Sequence, residues 1–537
     1  MINVLAYDFG TTGVKTCLFT ISDGVVKVDS ASQNYGLHIL PNGGAEQDPD
    51  DWWDALVATT RQIVERNPER AKSLAGISFC AQMQSMVMVD AEGRAVHRSM
   101  NYMDQRATAE MKSIFGKFPT FAGINIFKAA TCLRRTGIVP ASVKDPVWKY
   151  HWLRLNRPEE FARGHKWLDV KETIIARMTG EFVMSRDSAF STMLLVKNSP
   201  TPQFDPVVMR TLQIDPKHMP KIVESTDIVG KLRPEQAEEL GLSPDTPVYA
   251  GGGDASLIGV GAGAVKAGDT HVYMGTSGWV STVTDKYTVD LTAMMAAIVG
   301  ANPAAFNYFS ELETAGKCLE WVRDHLALDE INVFLDQRHV AQGTNAAHAS
   351  LYDYLSKVIA TAEPGSGGVL FTPWLHGNRS PFEDPLVRAA FFNISLETGK
   401  TEMLRAVVEG VCFHMRWFIE AHERNRHVHP SARVRFAGGG ALSDTTAQIL
   451  ADVLQRGIDV VDTPQDAGAV GAALLVAIGT GLIESVDSAD QLVEVAQSFE
   501  PNPDNAAVYD RQFEAFVGLY KANRKIYRML NAEKALS

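Results

Sequence analysis

The sequence predicts an α/β protein of two large domains built on related plans, and three observations carry that prediction. Single hydrophobic cores stop growing near ~250–300 residues, and this chain has 537. Strand-like and helix-like runs alternate early in the chain, the pattern of an α/β domain. The strand–turn–strand unit that opens the chain, with Gly10-Thr11-Thr12-Gly13 as its turn, returns mid-chain around Gly275-Thr276-Ser277-Gly278. The boundary is placed near residue 248.

In order, Asn3–Asp8 is apolar and β-rich, and Val14–Thr20 resumes the strand. Asp23-Gly24 turns into Val25–Val28 as a hairpin. Asp48-Pro49 supplies an N-cap and a first-turn proline. Trp52, Trp53, Leu56, Ile63 and Val64 then follow at helical spacing, so one helix face is buried. Ala75–Cys80 and Pro247–Gly253 read as strands, as do His271–Met274 and Trp279–Val283. Thr401–Arg424 is a long helix, and a second helix runs through Leu454. The uncharged stretch Ala467–Ile483 is shorter than the ~20 apolar residues a membrane span needs, and it carries four glycines. It is expected to be a buried core helix ending near Gly479. Tyr509, Phe513, Phe516, Tyr520 and Tyr527 recur at helical intervals and are expected to pack in a core.

Composition narrows the function classes. Hydrophobic residues at 45% and charged residues at 21% are ordinary for a globular protein. The net charge is −12 and no basic block stands out, so no nucleic-acid surface is expected. Cys17, Cys80, Cys132, Cys318 and Cys412 are scattered without CxxC spacing, which suits reduced thiols. The opening Met1-Ile2-Asn3-Val4-Leu5 lacks a basic n-region. A cytoplasmic protein with neither a secretory leader nor a membrane segment is expected. The histidines form no HExxH, and His422, His427 and His429 are expected in a solvated loop among arginines.

Four motifs carry chemistry. Asp8-Phe9-Gly10-Thr11-Thr12-Gly13 lies between two strands, where backbone amides and hydroxyls can approach a phosphate closely. Asp8 could hold Mg²⁺ through water, and Lys15 adds a cation nearby. The same motif reads alternatively as a hydroxyl-capped hairpin. Gly275–Gly278 repeats it, so the two together make a two-sided phosphate clamp. Gly251-Gly252-Gly253-Asp254 clears side chains from a strand end and leaves a carboxylate able to take a proton from an attacking hydroxyl. Spacing alone leaves that role and a helix-capping role for Asp254 equally open. Gly438-Gly439-Gly440-Ala441-Leu442-Ser443-Asp444 precedes a helix and suits a flat ligand or phosphate, or else a tight connection with Ser443 or Asp444 as N-cap. No GxGxxG stands in a dinucleotide-binding context.

Taken together, these segments resemble the FGGY carbohydrate kinases over nearly the whole chain and in family order. Asp8–Lys15 resembles the family's first phosphate motif, and Glu46-Gln47-Asp48-Pro49-Asp50-Asp51-Trp52-Trp53 its sugar-domain helix start. Gln82-Met83-Gln84 and Tyr102-Met103-Asp104-Gln105-Arg106 resemble its sugar-facing segments. Phe371–Pro381 resembles its C-terminal signature, and Gly438–Asp444 its adenosine-side loop.

The resemblance implies two actin-like, ribonuclease H-like domains with the active site in an interdomain cleft. Residues 1–248 would be the sugar side and 249–537 the ATP side. ATP and Mg²⁺ are the implied cofactors, a sugar or polyol the implied substrate, and a homodimer the implied assembly. Asp254 would be the catalytic base and would also touch the sugar with Gln82, Met83, Gln84, Tyr102 and Asp104. Gly10, Thr11, Thr12, Lys15, Gly275, Thr276, Gly316, Glu320, Gly440 and Asp444 would bind ATP, and Asp8 would position Mg²⁺. Xylulokinases usually carry His where this chain has Gln84 and Asn where it has Ala255. Losing those groups tells against D-xylulose itself and leaves a related ketose or a polyol open. Two rival classes remain: an actin- or chaperone-like ATPase and a catalytically inactive sugar sensor. The sugar-facing segments argue against the first, and Asp8 with Asp254 against the second.

Overall fold

The computed structural model describes residues 1–532 apart from 122, 198, 200, 291, 292, 294 and 326–353. The chain forms two compact units. The first comprises Met1–Val265 with Ile298–Phe306 and Gly468–Val493, and the second Lys266–Ala297, Asn307–Ala467 and Glu494–Ser537. The sequence placed the division at 248. In the structure the first unit runs on to Val265 and takes in Gly468–Val493, because these later segments carry apolar residues that complete its core.

The first unit is built on strands β1 (Ile2–Phe9), β2 (Gly13–Ile21), β3 (Val25–Asn34) and β4 (Leu74–Ala81). β5 (Ile228–Lys231) and β6 (Pro247–Tyr249) extend the sheet in the order β5-β6-β4-β1-β2-β3, with a short β7 (Gly252–Gly253) also pairing with β4. β1, β2 and β3 are antiparallel neighbours, whereas β1 and β6 run parallel to β4. The expected continuous strand Pro247–Gly253 is thus broken. Gly251 takes φ +65, and a Cβ there would sit 2.4 Å from the Phe79 carbonyl oxygen.

Alternation puts two apolar faces on this sheet. One, with Leu5, Tyr7, Phe9 and Leu18, packs in a core with Trp52, Trp53 and Leu56 of α1 (Pro49–Arg66) and Ile174 and Ile175 of α2 (Val170–Thr179). The other, with Val4, Ala6, Cys17 and Phe19, packs with Leu257 and Val260 of α3 (Asp254–Gly261) and with Leu474 and Leu475 further along. α1 starts as its residues dictate: the Asp48 side chain accepts the Asp50 N–H at 3.1 Å, and Pro49 fills the first turn.

The second unit holds an eight-stranded sheet. Its strands are β8 (Thr270–Met274), β9 (Gly278–Thr284), β10 (Val289–Asp290), β11 (Met295–Val299), β12 (Phe306–Leu312), β13 (Arg433–Ala437), β14 (Gly457–Val461) and β15 (Val495–Phe499). Their order is β10-β11-β12-β9-β8-β13-β14-β15. Here too an antiparallel hairpin, β8–β9, is continued by a parallel neighbour, β13. The internal repeat seen in the sequence is therefore a repeat of topology. The unit's helices include α4 (Gly316–His325), α5 (Lys400–Glu423), α6 (Asp444–Leu454) and α8 (Ala506–Asn531).

α7 (Ala467–Gly479) is the expected buried helix, with Ala469 through Ala477 in a core. Among the described residues no helix is long and apolar enough to cross a membrane. Tyr509, Phe513, Phe516 and Tyr527 are buried on α8, while Tyr520 stacks on Phe382. His422 departs from expectation. It belongs to α5, is fully buried, and hydrogen-bonds Thr282 Oγ1 at 3.0 Å and Ser310 Oγ at 2.6 Å. Its apolar helical neighbours carry it inward, and burial holds its ring neutral, with the pKa pushed down to about 3.

Candidate active site

In the first unit, the Gly10–Thr12 turn has its carbonyls claimed by neighbours. Gly10 O accepts from the Tyr35 hydroxyl at 2.5 Å, and Thr11 O from Gln47 Nε2 at 2.7 Å. A trans peptide points its N–H opposite to its C=O. The Thr11 amide therefore faces away from Tyr35 and the Thr12 amide away from Gln47. Carbonyl capture of this kind prepares backbone amides for an anion.

Asp8 stands at the carboxyl end of β1, and its register partners are Lys15 on β2 and Cys80 on β4. Directly paired residues share a face, so these three side chains lie on the side covered by α3 and α7. The Cys80 thiol hydrogen-bonds Asp8, and its pKa is pushed well up by burial and by the negative charges of Asp8, Asp254 and Asp187. Gly252 on β7 is the other register partner of Cys80, so Asp254, two residues on, starts α3 just past the strand on the far side of β4 from Asp8. A Cβ at Gly468, near the start of α7, would lie 2.7 Å from Asp8 Oδ2, so α7 approaches Asp8 as closely as glycine permits. Asp254 is the first residue of α3, half-buried, and its Oδ1 accepts the Ala255 N–H at 2.8 Å.

The sugar-facing segment predicted from sequence abuts this turn. A Cβ at Gly253 would fall 2.1 Å from Met83 Sδ. Gln82 Nε2 donates to Gln47 Oε1 at 2.8 Å, so Gln47 joins that segment to the Thr11 carbonyl. Gln84 has φ 64, and its carbonyl accepts from the buried Lys149 Nζ at 2.8 Å. Burial pulls the Lys149 ammonium down to about 7 against the opposing charges of Asp104, Asp169 and Asp145. Burial and the Glu172 charge move Asp169, which accepts the Ser85 N–H, in the opposite sense. The Tyr102 hydroxyl lies 3.2 Å from Thr11 Oγ1. Asp104 is fully engaged: its carboxylate takes the Ala45 N–H at 2.9 Å and the Arg106 guanidinium at 2.5 Å. Arg106 also reaches Glu46 at 2.8 Å and caps the Trp152 ring.

In the second unit the Gly275–Ser277 turn follows the same logic. Gly275 O accepts the Gly316 N–H at 2.8 Å, and Thr276 O accepts the Ala315 and Lys317 N–H groups, both at 3.2 Å. The Thr276 and Ser277 amides consequently point away from the start of α4. Gly316 serves close packing, since its Cβ would lie 2.4 Å from Gly275 O. Glu320 is paired with Lys317 at 2.6 Å. Gly438 takes φ +94, and Gly439 has nothing within 4 Å of its Cβ position, which leaves open room beside the turn. Ser443 caps α6 through the Thr446 N–H at 3.2 Å, leaving Asp444 exposed in its first turn. Gly440 packs on Met274.

Sequence reasoning gave no role to Tyr35, Cys80, Lys149, Asp187 or Gly468, and quoted Gln47 only within a motif. Gln47 alone stood in a motif that could have drawn attention. Among the described residues no group of three or more His, Cys, Asp or Glu side chains could hold a metal ion.

Two sheets on one plan, each ending a hairpin in a glycine–threonine turn with its carbonyls tied down, define a phosphoryl-transfer enzyme of the two-domain, actin-like class. Comparison with known proteins takes this class to a family. The model of the N-terminal domain of the FGGY family of carbohydrate kinases matches residues 3–261, and the model of its C-terminal domain matches 271–480. The chain belongs to the FGGY family of carbohydrate kinases and is an enzyme that phosphorylates a sugar or polyol with ATP. It is 28% identical over 527 residues to a gluconokinase of Bacillus subtilis, covering 98% of this chain and 97% of that protein. It is 27% identical to a xylulose kinase of the same organism over 531 residues, covering 98% and 99%. Among solved structures, a ligand-bound xylulose kinase from Lactobacillus acidophilus matches with TM-score 0.82 and 25% identity over 99% of this chain and all of the other. A gluconate kinase from that organism matches with TM-score 0.81 and 25% identity, covering 98% and 99%.

Proposed function

We propose that this kinase phosphorylates a terminal hydroxyl of a ketose, aldonate or polyol, with Asp254 as the general base. The observation that carries the reading is strand register: Cys80 on β4 pairs with Asp8 on β1 and with Gly252 on β7, two residues before Asp254. It sets a proton-accepting carboxylate close to a carboxylate beside a phosphate-ready turn. Asp254 takes the proton as the sugar oxygen attacks phosphorus. Thr11, Thr12, Thr276 and Gly275 line the phosphates through their turns, with Gly10 shaping the first turn and Lys15 adding charge. Gly440, Asp444, Gly316 and Glu320 flank the nucleotide. Gln82, Met83, Gln84 and Tyr102 form the sugar side, and Asp104 anchors that segment through Arg106.

The donor set suits magnesium, which prefers few protein carboxylates and several waters. Asp8 offers one carboxylate near the carboxyl end of β1, beside the Gly10–Thr12 turn. When bound there, the ion would neutralise phosphate charge. The five cysteines are buried thiols outside any disulfide, which suits a reducing, cytoplasmic setting. The relatives named as gluconokinases and xylulose kinases direct the choice of substrate class.

The test has two parts. ADP release is screened over ketopentoses, aldonates and their polyols, with mass spectrometry of the product. Asp254→Ala is then assayed on the best substrate. Turnover should fall by about 10²- to 10⁴-fold while ATP binding stays nearly intact. Turnover like the wild type by that variant would refute the base assignment.

A further inference from the structure

Asp187 lies outside the motifs assigned to sugar, nucleotide or metal, yet it holds the peptide that carries Asp254. It is fully buried. Its Oδ2 accepts the Gly253 N–H at 2.7 Å. Its Oδ1 accepts the Ser188 N–H at 2.9 Å and the Ser185 hydroxyl. Ser185 Oγ in turn accepts from Lys171 Nζ at 2.6 Å, and Lys171 pairs with Glu172. A Cβ at Gly252 would come within 2.9 Å of Asp187 Oδ2, so the glycines before Asp254 leave the room this carboxylate occupies.

We propose that Asp187 is a positioning residue for the catalytic base, fixing the Gly252–Gly253 backbone so that Asp254 enters α3 in one orientation. This rests on the reading of Asp254 as the base. The physical argument is short. A hydrogen bond donated by a backbone N–H to a carboxylate is about twice as strong as one to a neutral acceptor. The peptide preceding Asp254 has no Cβ at either glycine to fix it by packing. Met83 bounds the Gly253 position, while Asp187 bounds Gly252 and directs the Gly253 N–H. The Lys171–Glu172 pair and Ser185 hold the carboxylate from behind. Misplacing a reacting group by about 1 Å costs on the order of 10²-fold in rate without a matching loss of binding.

The experiment is Asp187→Asn, which keeps shape and replaces one oxygen by a donor. The remaining oxygen serves Ser185 and Ser188, so the new NH₂ faces the Gly253 N–H, donor against donor. Steady-state kinetics on the best substrate of the screen should show kcat lowered by about 10- to 100-fold, with the KM values for sugar and ATP within about two-fold of wild type. A kcat within about two-fold of wild type overturns the proposal. So does a parallel change of kcat and both KM values accompanied by a fall in thermal midpoint, which marks a merely structural role. If Asp187→Asn does not fold, Ser185→Ala decides. It removes one donor to Asp187 and should lower kcat by at least about three-fold at unchanged KM, whereas wild-type kcat overturns the proposal. The two readings fail separately. An active Asp254→Ala removes the base assignment itself, whereas an inactive Asp254→Ala beside a fully active Asp187→Asn removes only the role of Asp187.

Discussion

Gly253→Ala tests whether the turn before Asp254 and the Gln82–Gln84 segment share space. Gly253 has φ −78 and ψ 160, a conformation alanine adopts freely, so backbone strain contributes nothing. The added methyl carbon instead meets Met83, at 2.1 Å from Sδ, 2.3 Å from Cγ and 2.8 Å from Cε. Real carbon contacts of this kind lie near 3.5–4.0 Å, so Met83 must leave its rotamer or the turn must move. Overpacking of this size costs about 1–3 kcal/mol. Met83→Ala removes the obstruction, so the double variant should recover part of the loss. The assay is kcat/KM for the sugar across wild type, both single variants and the double variant, with thermal unfolding alongside. We expect a coupling of about 1–2 kcal/mol, equivalent to a factor of about 5–30, with the double variant better than the product of the singles. Strict additivity would refute the reasoning, because two side chains that do not compete for space cannot rescue one another.

Three further outcomes follow from the same geometry. Gly468→Ala puts a methyl 2.7 Å from Asp8 Oδ2 and 2.8 Å from Cys80 Sγ. It should lower kcat by about 10-fold or more, and magnesium titration of the rate should move to higher concentration; an unchanged magnesium dependence would count against Asp8. Lys149→Met leaves the Gln84 carbonyl without its donor, a cost of about 1–3 kcal/mol, and should raise the sugar KM while sparing the ATP KM. His151, His271 and His414, with pKa values near 4, and His422, near 3, are all held below the ordinary value by burial. The unfolded chain therefore binds protons that the folded one refuses. Stability from these groups is full above about pH 6.5 and is lost as pH falls toward 4, at up to about 1.4 kcal/mol per pH unit for each. Thermal midpoints measured from pH 7.5 to 4.5 should fall, and a midpoint that rises on acidification would contradict the assignment.

Much of this enzyme is written locally. Asp48-Pro49 begins a helix because a carboxylate and a fixed φ satisfy its first turn wherever it lies. The uncharged Ala467–Gly479 run was bound to be buried. The two glycine–threonine turns were legible because few residue types let a chain reverse tightly between strands, and the order of motifs already gave the family. Other features had no local signal, because they depend on which atoms meet after folding. Spacing could not choose between a capping and a catalytic Asp254; the catalytic proposal rests on Asp8 and Cys80 lying on the adjacent strands β1 and β4, with Gly252 paired to Cys80. Asp187 and Lys149 sit in ordinary helical or hydroxyl-rich stretches, and only packing turns them toward the Gly253 amide and the Gln84 carbonyl. Proximity in sequence groups His422 with the polar His427 and His429, although the helix expected over Thr401–Arg424 already contains it, and α5 carries it into the core. Local chemistry set the turns and caps, whereas burial and hydrogen-bond pairing across distant segments decided which polar groups serve the site.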